Sequence, residues 1–152
     1  MKILIELPTW LGDAVMTTPA IENLIYHFKK SEITLLGSFA SIEVLKNHPK
    51  IVATHIIDTN IFNLYKDLKA IGSFDFFFSF RSSLRSKYIS FCVISSQKYQ
   101  YHKKKFPKGH QVEKYNNFVN VSLQVSNISK RLILHSQKTN KSSTNKLLGI
   151  NP

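Results

Sequence analysis

Two hydrophobic patterns alternate along the chain. Lys2 to Leu7 is almost continuously apolar and β-branched, as a strand covered on both faces is. Ile21, Leu24, Ile25 and Phe28 then recur at i, i+3, i+4 and i+7, the stripe of a helix laid on a sheet, and Lys29 and Lys30 suit its negative C-terminal end. Pro19 leaves the start of that helix open: it begins near Asp13 and is kinked, or Thr18 caps it with Pro19 as first residue. The alternation continues with a strand at Ile33–Leu36, a helix at Ser41–Asn47, a strand at Ile51–Asp58 and a helix at Ile61–Ile71 closed by Gly72. Phe74–Phe80, FDFFFSF, is too apolar on both faces for a sheet edge, and a helix near Ser82–Phe91, a strand near Val93–Lys98 and a helix near His110–Gln124 follow. Strands alternating with helices imply right-handed crossovers and an α/β fold: a Rossmann-like, doubly wound, mostly parallel sheet.

The pattern fails after Ser126. Arg131–Leu134 is expected to form a last short strand, whereas His135–Asn145, with no aliphatic or aromatic residue, reads as a solvated linker. Residues 146–152, KLLGINP, resemble a new strand and its turn with nothing to pair against. The organisation expected is a domain over 1–134, a linker over 135–145 and the start of a missing second domain at 146–152.

Composition adds limits. A chain of 152 residues can bury one ordinary core without disulfides or metal. Cys92, the only cysteine, sits in an apolar setting as a buried inert thiol, which suits a reducing cytosol. No stretch approaches the roughly 18 apolar residues of a membrane span, and Glu6, Pro8 and Asp13 interrupt any signal-peptide core.

Charge changes the picture more. Residues 1–97 carry 10 Lys+Arg against 8 Asp+Glu, whereas 98–152 carry 11 against one, Glu113, so ten of the twelve net positive charges lie in the last third. Such a field attracts nucleic acid, anionic headgroups or phosphorylated sugars. A/T-rich coding accounts for a Lys- and Asn-rich composition equally well.

Ligands of open α/β sheets bind beyond the C-terminal ends of the strands, and two loops fall there. PTWLGD, residues 8–13, matches neither the GxGxxG dinucleotide fingerprint nor a phosphate loop. It offers Gly12 for close backbone approach, the Asp13 carboxylate as helix cap or general base, and Trp10 as loop packing or as a flat face for a sugar. In FSFRSSLRSKY, residues 78–88, Ser82 or Ser83 can cap the next helix, while Arg81, Arg85 and Lys87 gather charge beside its positive end. That loop is either an oxyanion or phosphate clamp or a solvated basic helix start. Residues 98–115 interleave lysines with Tyr99, Tyr101, Phe106 and Tyr115, the chemistry of a single-stranded nucleic-acid binder or of a mobile basic loop. His102 and His110 have no metal-ligand spacing, and no metal site is expected.

ILIELPTWLGDAVMTTPAIENL resembles the N-terminus of the ADP-heptose:lipopolysaccharide heptosyltransferase family, with SSLRS and HQVEKY as further points of similarity, best to its heptosyltransferase II branch. The resemblance implies the N-terminal half of an inverting GT-B glycosyltransferase that moves heptose from ADP-heptose to the inner core of lipopolysaccharide. Asp13 becomes the general base, with Trp10, Gly12, Arg81, Ser82, Ser83, Arg85 and Lys87 around an anionic lipid A or inner-core acceptor. No cofactor is implied, since ADP-heptose is a substrate held mainly by the missing second domain. The half-enzyme is expected to be inactive alone, cytoplasmic and peripheral to the inner membrane face. The rival reading is a non-enzymatic basic module for nucleic acid, a partner the resemblance does not lead one to expect.

Overall fold

The structure, a computed structural model, describes residues 1–57, 61–126, 129 and 131–136. In chain order the elements are β1 (Lys2–Glu6), α1 (Leu11–Met16), α2 (Thr18–His27), β2 (Glu32–Gly37), α3 (Phe39–Leu45) and β3 (Ile51–Ile56). They continue with α4 (Ile61–Ala70), β4 (Ser73–Ser79), α5 (Leu84–Cys92), β5 (Ile94–Gln100), a short 3-10 turn at Lys103–Lys105 and α6 (Gln111–Leu123). All five strands pair in parallel in the order β3-β2-β1-β4-β5.

β1 and β4 are thus interior neighbours, with Ile3, Leu4 and Ile5 opposite Phe76, Phe77 and Phe78. This is the position that FDFFFSF anticipates. Alternate side chains feed two cores. Ile3, Ile5 and Phe78 join α2, α3 and α6 through Leu24, Ile42 and Phe118, while Leu4 and Phe77 join α4 and α5 through Leu64, Leu68, Ile89 and Cys92. Helices cover both faces, as a doubly wound sheet requires. The edge strands are the more polar β3 and β5.

Neither reading of Pro19 holds as stated: Thr18 is the first residue of the second helix and not its cap, which is Thr17, and that cap makes no side-chain capping bond. A helix does begin near Asp13, but it breaks at Thr17 and restarts as α2 with Pro19 in its first turn. Proline at 19 has no N–H for the carbonyl of Val15, and the Thr18 hydroxyl donates to that carbonyl instead at 2.8 Å. The Thr17 hydroxyl likewise donates to Ala14 at 2.6 Å.

Arg131–Leu134 is not a strand. After α6 the chain runs beside α2, and its backbone donors go to side chains: Ser129 N–H to Asn23 Oδ1 and Ile133 N–H to Thr18 Oγ1. A path on the helical layer is out of reach of either sheet edge. In the expected linker, His135 is half-buried and its ring meets His48 edge-on at 4.5 Å. Residues 137–145 and the expected strand at 146–152 lie outside the described residues. No described helix is long and apolar enough to cross a membrane.

Candidate functional site

Strand order reverses between β1 and β4, so the loops leaving their C-terminal ends diverge and open a crevice. The loop after β1 is held from α3: the Ser38 hydroxyl donates to the Thr9 carbonyl at 2.8 Å and the buried Ser41 hydroxyl donates to the Pro8 carbonyl. α1 then begins with Trp10 as N-cap residue, without a side-chain cap, and places Asp13 in its first turn. Asp13 is therefore not the cap. Its carboxylate is half-buried and favourably placed for the helix dipole. Gly12 precedes it with open space where a Cβ would stand. Trp10 is 77% exposed, which excludes loop packing as its role.

The loop after β4 ends at Ser83, whose side chain accepts from Ser86 N–H and caps α5. Ser82, the other candidate cap, is left exposed. Trp10 and Asp13 from one loop and Arg81, Ser82 and Ser83 from the other line a single open cleft of about 490 Å³. The remaining three predicted residues stand elsewhere. Gly12 and Arg85 are not among the side chains around this cleft, and Lys87 faces a neighbouring one.

Beyond Pro8, Thr9 and Phe80 of the same two loops, two further parts of the chain join the cleft wall: Tyr101 and Lys103 after β5, and Gln111 and Tyr115 from α6. The helix start HQVEKY carries the last two. There His110 Nδ1 accepts from Val112 N–H while Glu113 Oε2 accepts from His110 N–H, a reciprocal cap that aims the first turn at the cleft. Burial, then the Asp13 carboxylate, pushes the Tyr115 phenol well above its ordinary range, against a smaller opposing effect of its hydrogen bond with Gln111. Tyr115 thus remains a neutral donor beside Asp13.

Sequence reasoning missed Glu6. It read only as an interruption of an apolar run, yet the fold buries it completely under the crevice. Glu6 Oε2 accepts from the hydroxyls of Ser79 at 2.7 Å and Ser86 at 2.6 Å, and Ser79 Oγ also accepts from Arg81 N–H at 3.3 Å. Oε1 accepts no hydrogen bond and lies 3.8 Å from Arg81 Nη1. Burial raises the Glu6 pKa; the Ser86 and Ser79 hydrogen bonds and the charges of Arg81 and Arg85 oppose the rise without cancelling it. An acid inside an apolar strand was the available signal, but its depth depends on β4 and α5 closing over it.

One trio among the described residues brings metal-ligand atoms together: Glu22, His48 and His135, within 4.8 Å of one another. His48 Nδ1 accepts from Lys50 N–H at 3.1 Å, so the ring proton sits on Nε2, 2.9 Å from Glu22 Oε1. In this arrangement His48 and Glu22 are joined by a hydrogen bond.

No family model matches the chain. Two curated proteins named lipooligosaccharide heptosyltransferase 2, from Campylobacter jejuni serotypes O:2 and O:6, are each 37% identical to it over 161 aligned positions. These alignments cover all of this chain and 50% of each relative, so the chain spans about half the length of the curated relatives it matches. Among solved structures it resembles a glycosyl transferase family 9 protein from Veillonella parvula, with TM-score 0.72 and 19% identity over 90% of this chain and 45% of that one. It also resembles E. coli ADP-heptose lps heptosyltransferase II, with TM-score 0.68 and 15% identity over 91% of this chain and 47% of that one. E. coli heptosyltransferase WaaC with ADP-2-deoxy-2-fluoro heptose aligns with TM-score 0.67 and 13% identity, over 87% of this chain and 51% of that one. At those identities the three structures establish a shared fold. Sequence identity of 37% along the whole chain, together with a Rossmann-like sheet opening its crevice between β1 and β4, makes this chain similar to one half of the lipopolysaccharide heptosyltransferases.

Proposed function

We propose that this chain is the acceptor-binding half of an inverting heptosyltransferase that uses ADP-heptose and a lipopolysaccharide inner-core acceptor, with Asp13 as general base. The observation that carries the reading is the meeting of Asp13 with Arg81, Ser82 and Ser83 in one cleft at the point where strand order reverses. In the reaction an acceptor hydroxyl oxygen bonds to the anomeric carbon of the donor as the bond to the ADP oxygen breaks. The electron pair leaves with ADP, and the hydroxyl proton passes to the Asp13 carboxylate. Arg81, with Ser82 and Ser83 beside it, would hold an acidic group of the acceptor, and exposed Trp10 would lie against a sugar ring.

The donor is assigned to residues beyond this chain. Positioning two substrates supplies much of the rate, so the chain alone is expected to release no ADP from ADP-heptose above background. Asp13→Asn in a two-domain enzyme bearing this sequence is expected to lower kcat about 10²- to 10⁴-fold with little change in acceptor KM. Undiminished turnover would remove Asp13 from the chemistry. Peripheral binding to the cytoplasmic face of the inner membrane fits an acceptor anchored there and the basic last third of the chain.

The rival nucleic-acid reading loses its stacking platform. Tyr101 and Tyr115 are buried, Phe106 stacks on Tyr101 with centroids 5.9 Å apart, and Tyr99 stacks on Phe78 at 5.0 Å. Tyr101 and Tyr115 belong to the core, and Tyr99 and Phe106 are partly buried against it, which leaves less ring surface for bases.

A further inference from the structure

A second cleft, of about 580 Å³, adjoins the one that holds Asp13 and shares Ser82 and Lys103 with it. Its wall is built from three separate parts of the chain: Lys87 on α5, His102, Lys103 and Lys104 in the turn after β5, and Lys114 on α6. Four lysines and a histidine face this space, and no carboxylate lines it. Glu113, adjacent to Lys114 and the one acid in the last third of the chain, is turned to the cap of α6.

The position of these cations is set by the core. Tyr101 N–H donates to the Ser79 carbonyl at 2.8 Å, and the rings of Tyr101 and Phe106 both pack on Phe118, so the turn between them is pinned at each end. Bringing like charges together from separate segments raises their mutual repulsion, which a multivalent anion between them reverses. Lysine ammonium groups bind phosphate as point charges and need no planar match.

We propose that this lysine-lined cleft is a second anion subsite that takes phosphate groups carried on the acceptor saccharide while the reacting hydroxyl lies by Asp13. The proposal rests on the functional reading for the class of ligand but not for the role of Asp13. The shared wall at Ser82 and Lys103 lets one ligand reach both spaces. The lining offers no tyrosine, phenylalanine or tryptophan face for bases, which favours a phosphorylated saccharide over single-stranded nucleic acid.

The test is amide NMR of the 152-residue chain titrated separately with inorganic pyrophosphate, a bisphosphorylated glucosamine disaccharide and an oligouridylate. Expected are shifts centred on Lys87, Lys103, Lys104 and Lys114, with the disaccharide binding more tightly than pyrophosphate. The Lys104→Gln/Lys114→Gln variant should weaken disaccharide binding about tenfold or more, with the remaining spectrum showing that the fold is kept. The general-base role is read separately, from turnover of Asp13→Asn in a two-domain enzyme, so loss of that role and loss of the subsite are separate results. Shifts confined to other surfaces, equal affinity for disaccharide and free pyrophosphate, or tighter binding of oligouridylate would each overturn the proposal.

Discussion

Glu6 is the residue whose environment conflicts most with its chemistry. Its carboxyl is fully buried, one oxygen is served by two serine hydroxyls, and the other accepts no hydrogen bond among the described residues and lies 3.8 Å from Arg81 Nη1. Because burial raises its pKa in the folded chain, folding favours the protonated form. Its contribution to stability is therefore fully present below the ordinary glutamate pKa and is lost as pH rises through the raised folded value. Glu6→Gln holds a neutral group of the same shape in place. Urea denaturation should show it as stable as the parent or about 1 kcal/mol more stable at pH 7, with the difference vanishing as pH falls towards 4. A loss above about 2 kcal/mol at pH 7 would show that the charged carboxylate is the form the fold wants. Gly12 presents the opposite case, since a Cβ there would meet nothing within 4 Å. Gly12→Ala should keep or slightly raise the thermal midpoint, because alanine is the better helix residue. In a two-domain enzyme bearing this sequence it should lower kcat/KM, if close ligand approach is why glycine stands there. Unchanged kinetics would leave Gly12 with no part in binding.

At the level of elements, the break between α1 and α2 separates the short helix that carries Asp13 from the helix that packs on the sheet. Pro19 has no N–H to continue an unbroken helix from Leu11, and α2 restarts at Thr18 with Ile21 and Leu24 in the core. Thr18 sustains this arrangement twice: its hydroxyl donates to the Val15 carbonyl and accepts from Ile133 N–H at 3.2 Å. Thr18→Val keeps the shape and removes both bonds from a site only 5% exposed. The expected cost is about 1 to 3 kcal/mol in urea denaturation. A cost near zero would mean that water serves both backbone groups equally well.

For the whole molecule, burial on both sheet faces is the property that fixes the topology of the site. Phe77 and Phe78 are consecutive and point to opposite faces, yet both are completely buried, in separate clusters. Phe77→Ala and Phe78→Ala should each destabilise by about 3 to 5 kcal/mol. Were one face open to solvent, one of the two would cost under about 1 kcal/mol, and chemical denaturation of both variants distinguishes the cases.

The sequence by itself determined the alternation of strand and helix, the interior place of FDFFFSF, the serine cap on α5 and the likeness to heptosyltransferases, because these are written in local periodicity, capping chemistry and short motifs. It left Arg131–Leu134 looking like a strand, since four residues of suitable composition carry no record of which backbone lies within reach. Only the tertiary structure decided that β1 and β4 are neighbours, that Arg81 and Asp13 share a cleft with Tyr115, and that Lys87 faces a different one. It alone buried Glu6 and turned the aromatic residues between the lysines into the core. The physical reason is common to all of these: strand order and burial are set by hydrogen bonds and packing between residues some 70 to 100 positions apart, as in the Ser79 to Glu6 and Asn23 to Asn116 contacts, and nothing in a local pattern encodes its distant partner.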